Sequence, residues 1–127
     1  MASQPPKPYH EERPWGEFTK FVENSPCTVK IITLNKGQSF SLQYHNHRDE
    51  FWRILSGNGI ATIGIEVGAD KSTQANEISV GKEFFVPSGT LHRIEAGDLG
   101  VTLLEITYGQ FDENDIVRTE DRYGRVQ

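Results

Sequence analysis

Two separated stretches carry side chains that could do chemistry. The first is Gln43, Tyr44, His45, Asn46, His47, Arg48, Asp49 and Glu50; the second runs Pro87, Ser88, Gly89, Thr90, Leu91 and His92. On an extended strand, residues i and i+2 point to one face, which groups Gln43, His45 and His47. A turn over Asn46–Asp49 would bring Glu50 back on the following strand. In the second stretch, Pro87 and Gly89 suit a tight turn that starts a strand carrying His92 inward. Imidazole nitrogens beside a carboxylate are a usual constellation for a metal ion. An isolated His-x-His pair also fits ordinary polar residues near strand ends, so the spacing between the stretches matters more than either alone.

The elements that must position these residues read as strands. The run from Trp15 to Val22 begins the pattern. Val29, Ile31 and Thr33 alternate with Lys30, Ile32 and Leu34, and Phe40, Leu42 and Tyr44 alternate with Ser41, Gln43 and His45. Further runs are 51–55, 60–67, 84–86 and 101–108. Turn residues punctuate them at 35–37, at Ser56–Gly59, at Gly81, at Pro87–Gly89 and at Gly97–Gly100. No long window has a 3.6-residue hydrophobic period. Roughly eight strands at about ten-residue spacing predict an all-β sandwich or barrel. The polar stretch 68–76 reads as a long hairpin loop. Residues 1–12, with Pro5, Pro6 and Pro8, read as a disordered lead-in, and 13–127 as one domain. The charged, irregular tail 112–125 is expected to fold over one end of the barrel.

Composition limits the function classes. A chain of 127 residues fits one domain. Its net charge of −5 argues against nucleic-acid binding through phosphates. The absence of any apolar run near 18 residues argues against a membrane span. The N-terminus lacks the apolar core of a signal peptide. The single cysteine, Cys27, permits no internal disulfide and suits a reducing, cytoplasmic setting.

Two blocks of spacing then stand out. Gly37, Gln43, His45, Glu50 and Gly57 form one; Gly81, Pro87, Gly89 and His92 form the other. Together they resemble the two signature motifs of the cupin superfamily, with Gln43 at the usual first-histidine position. That resemblance implies a jelly-roll β-barrel and a divalent metal held by Gln43, His45, Glu50 and His92. His47 falls in the spacer, either as an alternate ligand or behind the ligands. Zinc, manganese, cobalt and iron all suit such donors.

The likeness runs further. Arg13 to Gly16, Leu42 to Trp52, Val86 to Arg93, Asp115 to Arg118, Glu120–Asp121 and Tyr123 to Arg125 resemble the type II phosphomannose isomerase domain. That domain is usually the C-terminal part of bifunctional enzymes that also carry mannose-1-phosphate guanylyltransferase activity. The chain departs from it at Asn46, where three consecutive histidines are common, at Phe51, and in the long 68–76 stretch. The resemblance implies metal-dependent interconversion of mannose 6-phosphate and fructose 6-phosphate.

Such an isomerisation needs a polarised carbonyl, a base near C1 and C2, and a phosphate grip. Arg48, Arg118 and Arg125 lie in matching stretches and are the expected phosphate contacts, with Lys30 as a further candidate. Glu105, alone in an apolar strand, is the candidate base if it faces inward; facing outward it would be a solvent-exposed strand residue. Arg48, Glu105 and Arg118 are thus the expected catalytic set. Two other readings compete. His45, Glu50 and His92 alone would serve an iron dioxygenase, although Gln43 as fourth ligand argues against it. A non-catalytic sugar- or sugar-phosphate-binding cupin is the other. Pairing of two copies into a homodimer is a fold-level analogy.

Overall fold

The computed structural model describes residues 7–67 and 70–120. Among these residues every regular element is a strand. In chain order they are β1 (Tyr9–Arg13), β2 (Gly16–Lys20), β3 (Cys27–Leu34), β4 (Leu42–Tyr44), β5 (Glu50–Val67), β6 (Asp70–Ile78), β7 (Glu83–Val86), β8 (His92–Tyr108) and β9 (Val117–Glu120). All pairings are antiparallel. β1 and β2 form a separate hairpin, and the other seven strands form one sheet with β5 and β8 at its centre.

The two long strands organise the molecule. The first part of β5, Glu50–Gly57, pairs with Val101–Thr107, and its later part, Gly59–Ile63, pairs with His92–Ala96. Register shifts separate the two parts at Ile54/Ser56 and at Gly57/Gly59. One pair of strands therefore supplies both walls of the barrel. Trp52, Ile54, Val101 and Leu103 from one part pack with Ala61, Ile94 and Ala96 from the other in a single apolar cluster. Replacing a fully buried member such as Leu103 by Ala would cost about 2–5 kcal/mol.

Glycine is required where the strands bend. Gly57 has φ +97°, and a Cβ there would run into the carbonyl of Gly100; Gly59 has φ +154°, and a Cβ there would meet the carbonyl of Glu95. An L side chain is strained in such conformations and has no room. Ser56–Gly59 and Gly97–Gly100, expected as turns between strands, are thus crimps inside β5 and β8.

Three other expectations are corrected. The polar 68–76 stretch is not a long loop: β6 starts at Asp70 and pairs with β5 from Val67↔Asp70 to Gly59↔Ile78. Its residues from Ser72 to Ala75 are exposed, so no apolar alternation marks it in the sequence. The lead-in is not disordered from Tyr9 onward, because β1 pairs with β2 from Tyr9↔Lys20 to Arg13↔Gly16. That hairpin is held by local polar and ring contacts, including His10 with Thr19 and Trp15 stacked on Phe18. The tail is not irregular throughout, since Val117–Glu120 forms β9 beside β4.

Candidate metal centre

Three strand ends meet inside the barrel. His45 follows β4, Glu50 opens β5 and His92 opens β8. These residues are 2%, 1% and 1% exposed, and a donor atom from each lies within 4.8 Å of the others. His45 Nε2 is 3.3 Å from Glu50 Oε2, and His92 Nε2 is 3.7 Å from Glu50 Oε1.

The backbone settles which ring nitrogen carries the proton. His45 Nδ1 lies 2.6 Å from the carbonyl oxygen of Asp115, and His92 Nδ1 lies 2.9 Å from that of Thr90. A carbonyl only accepts, so each Nδ1–H donates and each Nε2 keeps its lone pair. Burial pushes both imidazoles down to about 4, so they are neutral near pH 7. Two imidazole lone pairs thus converge on the Glu50 carboxyl group. Buried Glu50 Oε2 and His92 Nε2 make no hydrogen bond. A divalent cation would satisfy these two acceptors, and the donor set of His45, Glu50 and His92 fits one.

Around this cluster, Trp52 donates its indole N–H to Glu50 Oε1 at 3.2 Å while its ring packs edge-on against His92. Gln43 stands opposite His92 in the β4–β8 pairing, lines the same cavity, and accepts a hydrogen bond from Ser41 Oγ at 2.6 Å. His47 is exposed, and its side chain is not part of the cluster.

The cavity has a volume of about 140 Å³, and Lys30, Arg48 and Glu105 also line it. Glu105 faces inward and is 7% exposed, on the strand position paired with Lys30. Burial, and then the neighbouring Glu50 charge, raise its carboxyl to about 7. Burial raises Glu50 as well. Arg48, an expected phosphate contact, reaches inward: its Nε lies 3.1 Å from Glu50 Oε2, and its Nη2 donates to His45 Nε2 at 3.1 Å. The Phe111 ring lies against two cations, with Lys30 Nζ 4.3 Å and Arg48 Cζ 4.8 Å from its centroid. Arg118 on β9 stands across from Gln43. Arg125 lies outside the described residues.

Sequence reasoning gave no role to Ser41, Phe111 or the Trp52 N–H, and it gave Asp115 none of its contacts. Trp52 itself is fully buried in the core. No local pattern marks the others, because each acts through a partner that only the folded chain brings near. Trp15 is 72% exposed. Among the described residues no helix is long and apolar enough to cross a membrane.

Comparison with known proteins places this geometry. Mannose-1-phosphate guanylyltransferase ManC of Salmonella typhimurium is 37% identical over 116 residues, covering 90% of this chain and 22% of that protein. Xanthan biosynthesis protein XanB of Xanthomonas campestris is 37% identical over 116 residues, covering 90% and 23%. The chain therefore spans less than a quarter of either relative. Among solved structures, the capsular polysaccharide assembling protein CapF of Staphylococcus aureus superposes with a TM-score of 0.65 at 22% identity, over 94% of this chain and 34% of that one. Oxalate decarboxylase of Bacillus subtilis superposes with a TM-score of 0.65 at 24% identity, over 74% and 24%. These likenesses establish the cupin jelly-roll fold. The family model described as mannose-6-phosphate isomerase C-terminal matches residues 6–121, and the chain belongs to that family.

Proposed function

We propose that this chain is a metal-dependent aldose–ketose isomerase that interconverts mannose 6-phosphate and fructose 6-phosphate. The observation that carries this reading is the second buried carboxylate, Glu105, inside the cavity that also holds the His45, Glu50 and His92 cluster. A structural metal site has no need of it, whereas an isomerase needs a proton carrier beside its metal.

A divalent ion held by His45, Glu50 and His92, with Gln43, would polarise the sugar carbonyl. Glu105 takes the proton from C2 of the open-chain aldose and returns it to C1, while the O2 hydroxyl proton passes to O1, so the ketose forms with no net change in protons. Lys30, across from Glu105, is placed to donate to a sugar oxygen. The cavity suits the reacting end of the sugar rather than a whole hexose phosphate. Lys30, Arg48 and Arg118 are the positive charges proposed to take the phosphate. Arg125 belongs to the same proposal on its sequence match alone.

The test is a coupled assay of the metal-loaded chain with mannose 6-phosphate. Turnover that chelation abolishes and a divalent metal restores is the expected result. Binding of the sugar phosphate without turnover, in any metal form, would replace this reading with a sugar-phosphate-binding protein.

A further inference from the structure

We infer that Asp115 is a positioning residue of the metal centre, a reading that rests on His45 being a metal ligand. Asp115 approaches from the segment before β9 and holds the ligand-bearing turn in two ways. Its carbonyl oxygen accepts the His45 Nδ1–H at 2.6 Å. Its carboxylate accepts the backbone N–H of Asn46 at 2.8 Å on Oδ1 and that of His47 at 2.9 Å on Oδ2.

Two consecutive N–H groups make a small anion-binding nest, and the carboxylate sits in it as a two-pronged anchor. The anchor places the carbonyl of the same residue against the imidazole. The imidazole is thereby held in the tautomer that leaves Nε2 free, and its plane is turned toward Glu50. The turn is pinned on its other side by Gly89 N–H donating to the His45 carbonyl at 2.6 Å and Ser88 N–H donating to Asp49 Oδ1 at 2.8 Å. Asp115 is the side of this vice that reaches the ring. His92 has a separate holder, the Thr90 carbonyl two residues away, and supplies an internal reference.

The experiment compares the wild-type chain with Asp115→Ala and Asp115→Asn. Zinc or cobalt affinity is measured by calorimetry, and nitrogen NMR of the histidine rings is recorded on chelated protein. Asp115→Ala is expected to weaken the ion 10–100-fold and to shift His45, but not His92, toward the other tautomer. Asp115→Asn, which keeps one acceptor, is expected to fall between. Equal shifts at both rings would mean general loosening and would overturn the inference. So would an affinity within threefold of wild type together with an unchanged His45 ring. If the wild-type chain takes no ion, the metal reading is what fails, and the ring spectra alone decide whether Asp115 holds His45.

Discussion

Arg48 and Glu50, two residues apart in the chain, form an ion pair inside the barrel with Nε and Oε2 3.1 Å apart. The same guanidinium donates to His45 Nε2. Arg48 therefore engages two of the atoms that a divalent ion would take, and two cations cannot share them. Arg48→Met is expected to tighten zinc or cobalt binding about tenfold or more by calorimetry. It should also lower the melting temperature of the chelated chain, because Glu50 is left buried and unpaired. An Arg48 that merely braces the site would give weaker ion binding instead, which is the opposite sign.

Glu105→Gln keeps the shape of the base and removes its charge. On the proposed reaction, kcat should fall about 10²–10⁴-fold while the ion stays bound. The carboxyl sits near 7, raised by burial and then by Glu50. A base must be deprotonated, so the wild-type rate should climb with pH toward neutrality. A bound divalent charge would pull that limb lower. A variant with unaltered kcat would remove Glu105 from the reaction.

Gly57→Ala and Gly81→Ala separate crowding from backbone strain. Both glycines have φ near +90°, but only at Gly57 does a Cβ meet backbone; at Gly81 nothing lies within 4 Å. Gly81→Ala should cost about 1–2 kcal/mol, the left-handed penalty alone. Gly57→Ala should cost clearly more, because the β5–β8 contact must open. Urea midpoints compare the two, and equal losses would contradict a crimp built on close approach.

Tyr108 offers a pH test away from the metal. Burial raises its phenol to about 12, with Cys27 and Asp49 adding to the shift. The unfolded phenol ionises near 10, so the folded state holds its proton longer. The stability contributed below pH 10 should therefore be lost as pH rises from 10 to 12. Tyr108→Phe should flatten that loss in denaturation curves taken at pH 9 and 11; an unchanged slope would place the loss elsewhere.

The sequence disclosed the centre better than its setting. Gln43, His45, Glu50 and His92 stood out because their spacing resembles the cupin motifs, whereas strand alternation alone grouped Gln43, His45 and His47. Glu105 could be nominated but not oriented: whether it faces inward depends on the pairing with Lys30 across β3 and β8. Strand lengths were misread where glycine served two purposes. Gly57, Gly59, Gly97 and Gly100 look like turn residues, yet they let long strands bend without ending. β1 and β6 escaped notice because both are largely exposed, and a strand with no buried face has no alternation to show. Asp115 was part of a recognisable motif, but its partners lie 68–70 positions away.

That separation has a consequence for how the protein comes into being. During synthesis, the chain exposes His45 and Glu50 to the cell well before Asp115 leaves the ribosome, some 70 residues later. Fixing of the His45 ring therefore waits until the segment that carries Asp115 packs against the turn.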